Sequence, residues 1–387
     1  MRLLRLNFFI TLIGFLDTHL LIPVIALYAV SLGGEVGTAG IVVGVYSLSN
    51  TFANVLGGRI VDRYGYKRPL IGGLLGDAAA MLAYSLCRFP WHLALVRLLH
   101  GFVGGFVGPA TMSSLVSTSA PGSRGRTFGI YGAAIALATL LGYGGGGLIA
   151  SRLGYNSVFF FGAAMLLIAT VLAFMMPGDK GKKPDGQAVN NNIKAIMRLL
   201  LNSNLRLPYT VIFSQYFAFG GIVALLPLHL IGLNLEAYHM GLLLACFSLS
   251  FILFQFIGGR LCDAWGRLKS ALTGLVLASA SVLLLPVTGN LTVYVLLMLV
   301  YGAGFGFIFP AVSALVVEWA AAGESGLATG MFHALITVGV AVGAPLMGWA
   351  AGFVGIGWGI SLSAVPLLLS LLLGMVQWRQ ERLHKCT

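Results

Sequence analysis

The stretch GGRIVDRYGYKR, residues 57–68, occurs a second time in the chain as GGRLCDAWGRLK, residues 258–269. A constant shift of 201 residues relates the two copies, and the same shift pairs further residues without a gap. The pairs are Gly40 with Gly241, Gly57 with Gly258, Gly58 with Gly259, Arg59 with Arg260, Asp62 with Asp263, Gly65 with Gly266, Gly101 with Gly302, Pro109 with Pro310, Gly125 with Gly326 and Gly142 with Gly343. A match over this length indicates two homologous halves.

Apolar runs of about 20 residues fill most of both halves. Of the 387 residues, 58% are hydrophobic and 9% are charged, which is far more apolar than a soluble domain. We number the runs as predicted spans 1 to 12: 7–28, 40–58, 69–87, 91–114, 127–150, 154–176, 206–231, 240–258, 270–288, 292–317, 327–350 and 355–377. Each run can cross a hydrocarbon core of roughly 30 Å as a helix. The sequence therefore predicts an all-α polytopic membrane protein, with twelve transmembrane helices in two pseudo-symmetric six-helix bundles.

The polar stretch PGDKGKKPDGQAVNNNIK, residues 177–194, separates the two halves. Its content of Gly, Pro and Asn is typical of a linker. We predict an N-terminal six-helix bundle at 1–176, a cytoplasmic linker at 177–205, and a C-terminal six-helix bundle with a short cytoplasmic tail at 206–387. Because each half has an even number of spans, both halves have the same orientation, as in transporters built from parallel repeats.

The 23 Lys and Arg residues give the chain a formal net charge of +12. Twenty of them lie at the termini or in alternate loops, and only Arg88, Arg97 and Arg152 lie elsewhere. Basic residues accumulate on the cytoplasmic side of membrane proteins, so the pattern predicts a cell-membrane protein with both termini in the cytoplasm. The charge sets orientation, and we expect a lipid bilayer and no nucleic acid as partner.

The repeated stretch resembles motif A of the major facilitator superfamily, Gly-x-x-x-Asp-Arg-x-Gly-Arg-Lys/Arg. The matching positions of the first copy are Gly58, Asp62, Arg63, Gly65, Lys67 and Arg68. Tyr66 stands where the motif usually has Arg. The second copy keeps Gly259, Asp263, Gly266 and Arg267.

Two further stretches carry the same resemblance. Arg97-x-x-His100-Gly101 in span 4 is similar to motif B, Arg-x-x-Gln-Gly, with His100 in place of Gln. The run 142–147 in span 5 resembles motif C of proton-driven exporters, with Tyr143 in place of its proline. The resemblance implies a secondary active transporter like the twelve-helix drug:proton antiporters, which exports an amphiphilic small molecule by alternating access. A proton symporter or a lipid or lysolipid carrier on the same fold is the alternative.

Other classes of membrane protein find less support. The spans contain no Walker loop, no Asp-x-x-x-Asp or His-x-x-x-x-Asp pair and no His/Cys ligand cluster, so we do not expect an enzyme, a cofactor or a metal. Duplicated halves favour alternating access over a continuous channel. We expect a monomer that binds a small-molecule substrate and protons.

The resemblance also implies a conformational gate on the cytoplasmic side. Asp62 would meet the partially positive N-terminus of span 11, and Asp263 would act in the same way on span 5. The predicted gate residues are Gly58, Asp62, Arg63, Gly65, Arg68, Arg124, Arg126, Asp263 and Gly266. The alternative is a solvated loop in which Asp62 pairs with Arg59 or Arg63.

Asp17 lies about 11 residues from the outer end of span 1, hence roughly 16 Å deep. A carboxylate at this depth is costly and by default functional. Arg97 and His100 share one face of span 4, at depths of roughly 8 and 12 Å. The resemblance places spans 1, 4, 7 and 10 around a central cavity, so we predict that these three residues couple transport to protons. The alternative is a static ion pair between spans 1 and 4. Asp77 in span 3, which the resemblance places at the periphery, is expected to bond a polar neighbour.

A substrate cavity is predicted in the second half. Its residues are Gln215, Tyr216 and Phe219 of span 7, Tyr301 and Phe305 of span 10, and His333 of span 11. We expect His333 to be the one buried ionisable side chain of that half. Aromatic faces with little charge suit an amphiphilic or aromatic solute, although ordinary helix packing is the alternative.

Overall fold

The computed structural model describes residues 2–117, 124–178, 199, 202–320 and 325–386. Within these residues the secondary structure is helical, with one short 3-10 segment and no strand. The helices are Arg2–Leu21 and Ile25–Ser31 in span 1, Val36–Tyr64 in span 2, Lys67–Tyr84 in span 3, Pro90–Gly104 and Val107–Ser117 in span 4, Arg124–Leu153 in span 5, Tyr155–Phe174 in span 6, Ser203–Gly232 in span 7, Ala237–Trp265 in span 8, Arg267–Leu284 with the 3-10 segment Leu285–Val287 in span 9, Leu291–Trp319 in span 10, Ser325–Val354 in span 11, and Ile356–Leu362 and Val365–Cys386 in span 12.

Eleven of these spans are long and apolar enough to cross a membrane, by length and composition within the described residues. The remaining one, span 3, is 18 residues long and contains three charged residues, Lys67, Arg68 and Asp77. The first two lie at its beginning, and Asp77 is buried. The predicted all-α polytopic fold is therefore confirmed, and each predicted span corresponds to helical structure.

The chain divides into two compact units, Met1–Val189 with Asn234–Ala245, and Asn190–Leu233 with Cys246–Thr387. The first unit contains spans 1 to 6 and also the beginning of span 8. The second unit contains the rest of the second half. Most of the predicted linker, 177–205, lies outside the described residues.

Backbone geometry repeats between the two halves. The described residues with positive φ angles form three pairs at a separation of 201 residues: Gly33 with Asn234, Gly65 with Gly266, and Gly154 with Gly355. This backbone region favours Gly and, among other residues, Asn. Each pair lies in equivalent turns between spans, so the repeat extends to the turns.

Helix packing repeats in the same way. A Cβ added to Gly57 of span 2 would lie 3.0 Å from the carbonyl oxygen of Gly105 in span 4. A Cβ added to Gly258 of span 8 would lie 2.5 Å from the carbonyl oxygen of Gly306 in span 10. Small residues let membrane helices approach this closely, so each half uses a glycine at the same crossing.

Three spans are interrupted, which the sequence analysis did not predict. The helix of span 1 breaks at 22–24, that of span 4 at Gly105 and Phe106, and that of span 12 at Ser363 and Ala364. Pro23 lacks the backbone N–H that would continue the helix in span 1. The first two breaks follow Asp17 and His100 within about two helical turns, so irregular backbone lies close to both residues.

Candidate functional site

The structure brings Asp17 of span 1 and His100 of span 4 together. His100 Nε2 lies 2.8 Å from Asp17 Oδ2, and the Thr18 hydroxyl lies 3.4 Å from Asp17 Oδ1. Asp17 is 2% exposed and His100 is fully buried. A buried charged hydrogen bond of this length links the two helices.

A second carboxylate approaches the same nitrogen. Asp77 Oδ1 of span 3 lies 3.6 Å from His100 Nε2, and Asp77 is 1% exposed. On the other side of the ring, the Tyr84 hydroxyl lies 2.9 Å from His100 Nδ1. With a proton on Nε2, the imidazole donates to Asp17 and accepts from Tyr84, so both ring nitrogens are satisfied. Sequence reasoning omitted Asp77 from the site because it placed span 3 at the periphery. An acidic residue in the middle of a span is nevertheless an indication of a functional site.

Arg97 lies one helical turn before His100 and is also buried. Its Nε lies 3.4 Å from the carbonyl oxygen of Val42, and its guanidinium carbon lies 4.4 Å from the centre of the Tyr46 ring. Its Nη1 has no hydrogen-bond partner within the part of the chain that the structure describes. Arg97 is therefore held by span 2, and the hydrogen bond to Asp17 comes from His100.

The four buried side chains form what we call the charged cluster: Asp17, Asp77, Arg97 and His100. Two carboxylates and one permanent cation give it a net charge of −1 when the imidazole is neutral. One bound proton makes the cluster neutral, which matters because uncompensated buried charge is costly.

Ligand atoms of Asp17, Asp77 and His100 lie within 4.8 Å of one another, and they are the one group in the described residues that could hold a metal ion. A divalent ion would leave the cluster with a net charge of +1, so its charge fits one proton better.

His19 forms a separate, satisfied pair of contacts. Its Nδ1 lies 2.6 Å from the carbonyl oxygen of Phe15, and its Nε2 lies 3.0 Å from the Thr139 hydroxyl of span 5. One ring nitrogen is thus engaged within span 1, and the other links span 1 to span 5.

The residues predicted for the gate lie at the ends of spans 2 and 8 and at the beginnings of spans 3 and 5. Gly65 and Gly266 have φ angles of +80° and +93° and end spans 2 and 8. Asp62, Arg63, Arg68 and Asp263 are exposed. A Cβ added to Gly58 would meet no atom of the described residues within 4 Å. The side chains of Arg124 and Arg126 lie outside the described part of the chain.

Two motif A residues bind the end of span 6. Tyr66 donates a hydrogen bond of 2.9 Å to the carbonyl oxygen of Pro177. Lys67 Nζ lies 2.8 and 2.6 Å from the carbonyl oxygens of Phe174 and Met176. These carbonyls lack intrahelical partners, so the motif caps the helix, a role that the sequence analysis did not anticipate. In the second copy, Arg267 pairs with Glu318 at the end of span 10.

Four of the residues predicted for the substrate cavity form an aromatic cluster in the second half. Ring centres lie 5.6 Å apart for Tyr216 and Phe305, and 5.0 Å apart for Tyr301 and Phe305. Phe219 contacts Phe305 at 5.9 Å. Phe247 of span 8 joins them, stacked on Phe219 at 5.5 Å. Sequence reasoning missed Phe247 because it considered only spans 7, 10 and 11.

Four buried polar side chains of the second half have atoms without a hydrogen-bond partner within the described residues: Gln215, His229, Ser248 and Tyr301. In three of them the unpaired atoms are both side-chain amide atoms of Gln215, the Tyr301 hydroxyl and the Ser248 hydroxyl. Gln215 precedes Phe219 by four residues and therefore shares its helix face. Leaving such groups unpaired costs about 1–3 kcal/mol each, so a hydrogen-bonding ligand would be stabilised here.

His333 is exposed, which corrects the expectation that it is buried. Its neighbour Phe332 lies on the buried face of span 11 and is 1% exposed. His333 lines a cavity of about 570 Å³ together with Arg267, Phe309 and Glu318. No residue of the aromatic cluster lines this cavity.

The chain matches the sequence profile of the Major Facilitator Superfamily over residues 8–240 and again over 209–385. The chain belongs to this superfamily. Two overlapping matches across one chain agree with the internal repeat. The protein is therefore a multi-pass membrane transporter, and both family and fold point to transport of a small molecule across a lipid bilayer.

Relatives in this superfamily include transporters named for drug resistance. The chain is 26% identical to an uncharacterised MFS-type transporter of Methanocaldococcus jannaschii, over 93% of both chains. It is 29% identical to the multidrug resistance protein MdtG of Citrobacter koseri, over 86% of this chain and 83% of that protein.

Solved structures show the same fold. The nucleoside transporter NupG matches with a TM-score of 0.81 at 16% identity, covering 98% of this chain and 99% of that one. A bacterial homologue of the human lysosomal transporter Spinster, in an inward-facing conformation, matches with a TM-score of 0.81 at 13% identity, covering 98% of this chain and 96% of that one. These matches support the superfamily fold.

Proposed function

We propose that this transporter exports an amphiphilic small molecule in exchange for protons, by alternating access. The observation that carries the proposal is the position of His100 Nε2, 2.8 Å from Asp17 and 3.6 Å from Asp77 in a buried cluster. Relatives named as multidrug resistance proteins support the export of such compounds.

Proton binding changes the energetics of burying the charged cluster. With one proton bound, the cluster is neutral and is stable away from water. After the proton leaves, a net charge of −1 remains, and the conformation that hydrates the cluster becomes more favourable. The proton thus binds one conformation more tightly than the other, which is the requirement for driving a conformational change. Arg97 keeps the number of exchanged protons at one, because it compensates one of the two carboxylates permanently.

The aromatic cluster of the second half supplies the proposed substrate site. Its rings offer apolar contact area, and the unpaired groups of Gln215, Ser248 and Tyr301 offer hydrogen bonds. A solute with an aromatic part and a polar part satisfies both features. His333, which is exposed near the beginning of span 11, is a further proposed contact for the solute.

Motif A and its copy supply the proposed gate. Asp62 and Asp263 favour closure of the cytoplasmic side through helix N-termini, with a coupling free energy of about 1–3 kcal/mol. Both termini lie in the cytoplasm, in agreement with the distribution of Lys and Arg. Transport by a monomer suffices, because each chain contains both halves of the repeat.

Proton flux in vesicles tests this function. A ligand-stabilisation screen of amphiphilic drugs, dyes and lysolipids selects the probe, since a compound that binds the folded state raises its melting temperature. In proteoliposomes, antiport predicts that protons move against the direction of the selected compound. Protons that move in the same direction would show a symporter, and a lysolipid that moves without protons would show a lipid carrier.

A further inference from the structure

Asp77 differs from Asp17 in its hydrogen bonding, although both carboxylates are buried and lie near the same imidazole nitrogen. Asp17 accepts the bond of 2.8 Å from His100, with the Thr18 hydroxyl at 3.4 Å. Asp77 Oδ1 has no hydrogen-bond partner among the described residues, and it lies 3.6 Å from His100. The two acids are therefore not equivalent in this conformation.

A buried carboxylate without a donor is not stable as an anion. Burying an unpaired charge costs several kcal/mol even after relaxation, whereas a neutral carboxylic acid avoids most of this cost. The charged and titratable groups near Asp77 are Asp17 on span 1, Tyr46 on span 2 and His100 on span 4. Next to these, Tyr84 on span 3 contacts His100, and Arg97 on span 4 contacts Tyr46. Arg97 is the one permanent cation among them, and the cluster contains a second carboxylate that also requires compensation.

We infer that Asp77 binds the transported proton, while Asp17 stays ionised and orients His100. This inference rests on the proposed proton coupling and names the residue that carries it out. In the buried state the proton forms an O–H bond on the Asp77 carboxyl. When the cluster opens to water on one side, the bond breaks and the proton passes to water, so no other reactant is needed.

The carboxyl group of Asp77 lies next to the break in the helix of span 4. A Cβ on Gly104 would lie 3.1 Å from Asp77 Oδ1 and 3.2 Å from the Tyr46 hydroxyl. Gly104 ends the first helix of span 4, immediately before the break at Gly105 and Phe106. The proton site therefore adjoins the interruption of span 4, where a movement of the helix would change access to Asp77.

Matched isosteric variants test the inference without any substrate. Asp77→Asn resembles a protonated Asp77, so we expect the wild-type melting temperature at neutral pH. Asp17→Asn removes the charged acceptor of the His100 hydrogen bond, so we expect a decrease of about 4 °C or more. Equal melting temperatures, or a larger decrease for Asp77→Asn, including failure to fold, would overturn the assignment.

Infrared spectroscopy supplies an independent readout. At neutral pH the wild-type protein should show the C=O stretch of a protonated carboxylic acid, and Asp77→Asn should lose it. Asp62→Asn is the control, because Asp62 is exposed and lies outside the charged cluster, so its replacement should leave the band unchanged. Absence of the band in wild type, or its persistence in Asp77→Asn, would contradict the inference. These readouts are independent of vesicle flux, so the proposed function can fail while this assignment stands, and the reverse.

Discussion

The two halves place very different side chains at equivalent buried positions. The shift of 201 residues maps Asp17, Asp77, Arg97 and His100 of the first half onto Ala218, Ala278, Met298 and Tyr301 of the second. All eight side chains are at most 3% exposed. The second half thus has the same fold with no charge at these positions.

This internal comparison separates structural need from function. If the fold required buried charges here, the second half would need them as well, yet it packs alanine, methionine and tyrosine at the same positions. Buried ion networks often contribute little net stability compared with apolar packing. The charged cluster is therefore best explained by a function. The difference supports the proposal that the first half binds protons and the second half binds the solute.

The largest effect is expected when the first half receives the residues of the second. The variant Asp17→Ala/Asp77→Ala/Arg97→Met/His100→Tyr should fold with unchanged stability or a gain of about 1–4 kcal/mol. Its gradient-driven transport should fall to the level of empty vesicles. Asp17→Ala alone is the control, and it should lose about 1–3 kcal/mol because it leaves the buried His100 N–H without its acceptor. A quadruple variant that does not fold would show that the charges are structural.

Asp17→Asn sharpens the comparison at a single position. Without this charge, Arg97 balances Asp77, and the cluster is neutral with no added proton. Gradient-driven transport should vanish while downhill exchange survives, as measured by counterflow in vesicles. Full gradient-driven transport by this variant would refute the role of Asp17 and direct attention to the other cluster members.

Asp62→Asn and Asp263→Asn compare the two copies of motif A. Losing a coupling of about 1–3 kcal/mol changes the ratio of conformations by roughly 5- to 150-fold. We expect Asp62→Asn to increase the inward-open population and to slow turnover with little change in substrate affinity. Asp263→Asn should act more weakly, because its copy lacks the second Arg of the motif. Cysteine labelling from the cytoplasmic side in spans 5 and 11 measures the populations, and an equal or larger effect of Asp263→Asn would reverse this order.

Tyr301→Phe produces the smallest expected effect and affects only the second half. It removes the unpaired hydroxyl but keeps the ring contact with Phe305. Substrate affinity should fall several-fold, corresponding to about 1 kcal/mol for one hydrogen bond, and the number of protons exchanged should not change. Binding titrations measure the first quantity, and unchanged affinity would place the solute elsewhere.

Helical spans and the repeat were predictable from the sequence, and the proximity of spans 1 and 4 was predictable from the resemblance to the superfamily. Hydropathy determines span positions because lipid leaves few alternatives for the backbone, and the paired glycines at 65 and 266 identify the repeat. The position of Asp77 beside His100 was not predictable, because its neighbours depend on how span 3 packs against span 4. Phe247 and the exposure of His333 likewise depend on helix rotation, which apolar runs without a polar face do not determine.

Proton movement with and without the charged cluster tests the central claim most directly. The measurement is proton flux in proteoliposomes on addition of the compound selected by the stabilisation screen, for wild type and for the folded quadruple variant. We predict proton movement opposite to the compound in wild type and none in the variant. Equal proton flux in both proteins would contradict the claim that the charged cluster of the first half couples transport to protons.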